Sequence, residues 1–105
     1  MPKDKDSQRV LREQAWTGDA VLALYTREWI LREFGEMDGE LMNLMSSNHF
    51  LSRVGNPTAV EAEIGRAYAA EGLEAGFFWI EKNLRAHMED VIRKRRPHWV
   101  AKMKR

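Results

Sequence analysis

Between Gln8 and Phe34 no proline interrupts the chain. Leu11, Ala15, Gly18, Leu22, Tyr25 and Trp29 recur at three- and four-residue steps, and Leu24, Leu31 and Phe34 widen the stripe. The spacing predicts one helix over 8–34, with Asp6 or Ser7 as its N-cap, of roughly 27 residues and about 40 Å. In a chain of 105 residues, everything else must pack along such a rod. Its apolar surface exceeds what three short helices cover, which points to a second copy of the chain. Inside it, AWTGDAVLALY (15–25) breaks two local rules. Gly18 costs about 1 kcal/mol relative to alanine in a helix interior, and Asp19 sets a carboxylate beside an apolar stretch. Adjacent penalties mark a site rather than ordinary core.

The remainder also reads as helix. Gly35 stops the first rod, and Asp38 caps a second over about 39–53, with Leu41, Leu44 and Met45 facing inward. Val54-Gly55-Asn56-Pro57 is a stop and restart: Gly55 ends one helix, Asn56 caps the next, and Pro57 sits in its first turn. The third helix runs to about Glu71. After Gly72 a fourth covers Leu73 to Arg95, on a stripe of Leu73, Phe77, Ile80, Leu84, Met88 and Val91. Pro97 ends it. Met37, Met42, Met45 and Met88 read as core filler. There is no strand pattern and no repeat, so the expected fold is all-α, four to five helices in a single domain spanning 1–105. Its helical body is 8–95 and its tail 96–105.

Composition narrows the function classes. At 44% hydrophobic and 31% charged the chain is globular rather than disordered. No apolar run is long enough for a bilayer, and MPKDKDSQRV lacks the apolar core of a signal peptide. Without cysteine, disulfides and thiolate metal sites are excluded. A cytoplasmic protein with no membrane partner is the expectation. The net charge of +1 hides a split. Residues 1–92 hold ten lysines and arginines against all sixteen acids, a net of −6, whereas RKRRPHWVAKMKR (93–105) holds seven basic residues and no acid. Arg93, Lys94, Arg95, Arg96, Lys102, Lys104 and Arg105 are candidate contacts for a polyanion; a frayed, solubilising end is the alternative.

Two carboxylates stand out. Asp19 belongs to the first rod, and Glu61, in TAVEAEIGRAY, to the third, beside Val60 and one turn from Ile64 and Gly65. Without cysteine and without a nearby histidine, such a pair favours a hard cation such as Mg²⁺, which takes oxygen ligands and keeps several waters. The alternative is that each acid pairs with an arginine or caps a backbone group. Glu40 is read as a first-turn acid favoured by the helix dipole. His49, His87 and His98 share no ligand spacing.

The order of these segments carries a resemblance. WTGDAVLALYTREWILREFG, then GELMNLMSSNHFLSRV, then AVEAEIGRAYAAEGLEAGFFWIEKNL resembles the ribonuclease III family over roughly residues 11–86. The Gly-Asp-Ala core matches the family's signature stretch. Glu61-Ala62-Glu63-Ile64-Gly65, Tyr68 and Gly72-Leu73-Glu74-Ala75 match its second motif and the following helix start. Most members carry four acids per site; at those positions this chain has Ala15, Asp19, Thr58 and Glu61. Ala15 and Thr58 are similar to the compact Mini-III branch, which lacks a double-stranded-RNA-binding domain. The connection from Ser47-Asn48 to Glu61 is shorter than in the family, and the Mini-III RNA-contacting loop has no counterpart.

The resemblance implies a ribonuclease III-like helical domain working as a homodimer. It would be a Mg²⁺-dependent endonuclease, Mn²⁺ being a substitute. It would cleave double-stranded RNA to a 5′-phosphate and a 3′-hydroxyl, as in processing of structured or ribosomal precursor RNA. Asp19 and Glu61 would be metal ligands, and Thr58 would hold a metal-bound water. Trp16, three residues before Asp19, would enter a pocket of the partner, while Gly18 permits close backbone approach. The alternative is a catalytically weak or inactive RNA-binding or ribosome-associated scaffold.

Overall fold

The structure, a computed structural model, describes residues 3–103, with side chains from Lys5 onward. Among the described residues it is all helical. Its elements are α1 (Lys3–Phe34), α2 (Gly39–Met45), α3 (Asn48–Leu51), α4 (Pro57–Glu71), α5 (Leu73–Asn83), α6 (Arg85–Arg95) and a closing 3₁₀ turn, Pro97–Lys102. No described helix is long and apolar enough to cross a membrane.

α1 is the spine. Its 32 residues make a rod of about 48 Å, nearly the 52 Å long axis of the molecule. It begins at Lys3, five residues before the expected start, so neither Asp6 nor Ser7 is its cap. Acids near a helix N-terminus meet the positive end of the dipole, which favours extension through this segment. Gly35, at φ 79°, ends the rod as expected, because that backbone conformation suits glycine.

The expected second helix is two. Asp38 accepts from the Leu41 amide at 3.0 Å and opens α2. Ser46 and Ser47 then donate their hydroxyls back to the Met42 and Leu44 carbonyls, at 2.9 and 2.8 Å. Such bonds compete with the helical ladder, and Ser47 goes on to cap α3. α4 has the expected bounds, with Asn56 accepting from the Ala59 amide at 3.1 Å and Pro57 in the first turn. The expected fourth helix also divides. Asn83 donates to the Trp79 carbonyl at 2.9 Å, and Leu84 leaves helical geometry at φ −117° while fully buried.

Leu22, Tyr25, Trp29 and Ile30 of α1 meet Leu41, Met45, Leu51, Val60, Ile64, Ile80, Leu84, Met88 and Ile92 in one core. Met37 is not part of it, being 84% exposed. Residues 96–103 are no frayed tail. Trp99 and Met103 are buried, and Trp99 stacks on Phe34 with centroids 4.6 Å apart, so the closing turn clamps the far end of α1.

A candidate metal centre at a helix crossing

α1 crosses α4 at two glycines. A Cβ added to Gly18 would collide with the Glu61 carbonyl oxygen and lie 2.9 Å from the Gly65 nitrogen. One added to Gly65 would collide with the Gln14 carbonyl. The backbones therefore touch, which only glycine at both positions allows. Gly65 makes the crossing reciprocal. Its signal in the sequence was a second glycine inside a helix, one turn beyond the acid on α4.

The crossing brings the two singled-out acids together. Asp19 follows Gly18 on the exposed side of α1, and Glu61 is the half-buried residue whose carbonyl faces Gly18. Their side chains are within hydrogen-bonding reach. Burial, then the hydrogen bond to Asp19, then its like charge raise the Glu61 carboxyl from an ordinary 4.5 to about 7. Neither acid is ion-paired with a lysine or arginine among the described residues; those pairs lie elsewhere. Thr58, half-buried, lies one turn before Glu61 on the same helical face. Ala15 is buried, 6% exposed, so the position of a third acid is closed by packing.

The donor set is thus two carboxylates. Among the described residues no group of three or more His, Cys, Asp or Glu is placed to hold a metal. Two facing carboxylates, one of them protonated near neutral pH to relieve repulsion, suit a hydrated Mg²⁺, which needs few protein ligands. A divalent cation would take over the neutralising role of that proton.

The other expected site residues lie apart. Trp16 is 81% exposed, which excludes plain intrachain packing for it. Arg93 is 3.9 Å from Glu89, Lys94 is 3.2 Å from Asp90, and Arg95 is 3.7 Å from Glu40. Arg96 is held by Asp38 at 3.0 Å and Glu40 at 2.7 Å. Glu40 is therefore an ion-pair partner. Lys102 lies over the Trp99 ring, 5.7 Å from its centroid. Lys104 and Arg105 lie outside the described residues. His49 and His98 are exposed and His87 half-buried.

The sequence reading missed a network two turns farther along the Gly18–Leu22–Tyr25 stripe of α1. Buried Tyr25 donates to the Glu81 carboxylate, and Arg85 donates to Glu81 at 2.9 Å and to Glu89 at 3.1 Å. Burial, then Glu81, pushes the Tyr25 phenol above its usual value. The only signal was an i, i+4, i+8 alternation of charge on α5–α6, common on solvated helices. Comparison of the chain with family models, curated proteins and solved structures finds no match.

Proposed function

We propose that the protein is a dimeric, Mg²⁺-dependent endonuclease of double-stranded RNA, of the ribonuclease III type and nearest the compact Mini-III branch. The observation that carries this reading is the meeting of Asp19 and Glu61 at the Gly18–Gly65 crossing, with no lysine or arginine among the described residues ion-paired to either. Asp19 and Glu61 would hold the ion, which supplies charge stabilisation and a more acidic water at the scissile phosphate. Thr58, on the Glu61 face, would orient a water through its hydroxyl. Glu61 must give up its proton to serve as a ligand. Arg93, Lys94 and Arg95 keep side chains 49, 68 and 52% exposed and would meet phosphates, as suits a duplex recognised through shape and backbone. Arg96 and Lys102, engaged with the body, contribute less.

A dimer has a natural geometry. Trp16, Ala20, Leu24, Arg27 and Leu31 form an exposed stripe on α1. Two copies of that stripe laid antiparallel place Trp16 of one opposite Leu31 of the other. A cavity of about 300 Å³ opens there, between Ile30, Leu31, Met37, Gly39 and Met42. Such an isologous contact closes as a pair.

The decisive experiment incubates purified protein with a long RNA duplex and Mg²⁺ beside Asp19→Asn and Glu61→Gln. Each variant should lose at least about a hundredfold in rate, the scale of removing one preorganised electrostatic group. Unchanged cleavage would refute the assigned site. A mass measurement should give a dimer that Trp16→Ser dissociates. Closure of the Ala15 position favours a second reading, the non-catalytic RNA-binding scaffold. Salt-sensitive duplex binding without cleavage under Mg²⁺ or Mn²⁺ would select it.

A further inference from the structure

Away from the crossing, the outer side of α4 and α5 holds an open groove of about 540 Å³ lined by Ala67, Ala70, Glu71, Glu74, Ala75, Phe78 and Trp79. Its floor is three alanines, its wall two aromatics, and its rim two acids. Phe78 is 66% exposed, a large apolar area to leave in water. Glu71 and Glu74 are exposed and paired with no described cation, and no basic side chain lines the groove. The nearest arginine on α4, Arg66, is engaged by Glu63 at 2.6 Å and Gln14 at 3.0 Å. Elsewhere the protein covers its own aromatic faces with cations: Arg53 over Phe50, Arg85 over Trp29 and Lys102 over Trp99, at 5.5, 5.6 and 5.7 Å. The Phe78–Trp79 wall has the same ingredients on one side only: aromatic faces and carboxylates without their cation.

We infer that this groove docks a basic segment of a partner protein. An arginine or lysine would lay its stem along Phe78 and the alanine floor, with its charged head between Glu71 and Glu74. The chemistry is a cation over an aromatic face closed by carboxylates, which favours arginine for its planar, weakly hydrated head. A nucleic acid is disfavoured, since the rim is acidic. The inference is independent of the nuclease reading and uses none of its residues.

The test titrates the whole chain, ¹⁵N-labelled, with a peptide of alternating arginine and serine, following the Trp79 indole N–H resonance assigned through Trp79→Phe. The resonance should shift on saturation, and the affinity should fall as salt is raised. Phe78→Ser, and separately Glu71→Gln with Glu74→Gln, should each weaken binding about tenfold, the loss typical of one interface hot spot. Neutralising exposed acids elsewhere, Glu28→Gln with Glu36→Gln, should change it less than about twofold on rim-charge grounds. The substituted residues are exposed, so folding of the variants is checked by their unchanged spectra outside the groove. Equal affinities across all variants would overturn the proposal. So would sedimentation showing that Phe78→Ser dissociates the protein itself, which would give the face to a second copy.

Discussion

The Gly18–Gly65 crossing and the α6 end of the molecule handle carboxylates in opposite ways. At the α6 end, Asp38 and Glu40 face Arg96, and Asp90 faces Arg53 at 3.1 Å and Lys94 at 3.2 Å. Each of these charges has its complement, and the Arg96 pairs with Asp38 and Glu40 pin the start of the closing segment to the body. At the Gly18–Gly65 crossing, Asp19 and Glu61 face each other with no ion-pair partner among the described residues, and Glu61 answers by holding its proton to about pH 7. Paired acids of the first kind serve the fold. A like-charged pair in a backbone-tight crossing works against it, and such perturbed groups concentrate where a ligand is handled.

The largest effect that tests this contrast is steric. Gly18→Ala or Gly65→Ala must part α1 from α4, because each new Cβ meets backbone rather than a movable side chain. A loss of about 3 kcal/mol is expected, read as a fall of roughly 12–24 °C in Tm for a domain of this size. A loss below about 1 kcal/mol would mean that the crossing is not tight. Gly35→Ala probes a different cost, since nothing surrounds its Cβ but its φ is 79°.

The next effect is electrostatic and depends on pH. The folded Glu61 carboxyl keeps its proton to about pH 7, while the unfolded one releases it near 4.5. Between those values the folded state binds more protons, so the stability from this group is greatest below 4.5 and declines as pH rises through 7. Glu61→Gln should therefore raise stability at pH 8 by roughly 1 kcal/mol, after allowance for solvent screening, and leave it unchanged at pH 4. Mg²⁺ should raise the Tm of the unsubstituted protein more at pH 8 than at pH 6, because it competes with that proton. A Mg²⁺ effect equal at both values would separate the ion from Glu61.

The smallest effect lies at the balanced end. Arg96→Met should cost up to about 1 kcal/mol, since partly exposed pairs contribute little, and the loss should shrink in high salt. A salt-independent loss would indicate that packing, rather than charge, holds the segment.

Helical content, the stops at Gly35 and Gly72, and the caps at Asp38 and Asn56 were legible because each is a bond or a backbone angle within four residues. Asp19 and Glu61 stood out in the sequence as two acids set among apolar residues, but helical periodicity places each on a face without saying which faces meet, so their juxtaposition belongs to the fold. The breaks at Ser46–Ser47 and Leu84 escaped because the apolar stripe continues across them. There, side-chain bonds to the Met42, Leu44 and Trp79 carbonyls prevailed over periodicity.

The amino-acid order alone determined an all-helical chain, where most of its helices stop, and an acidic body with a basic end. Tertiary structure decided what those charges do. It folded the basic end back so that Trp99 stacks on Phe34 and Arg96 reaches Asp38 and Glu40, turning an apparent tail into a clamp. It also opened the Phe78 groove and set two carboxylates against each other across a glycine crossing. Helix formation is fixed by neighbours in sequence, whereas the pairings of Arg96 with Asp38 and Glu40, of Arg53 with Asp90 and of Asp19 with Glu61 join residues far apart in the chain. Only packing brings those together.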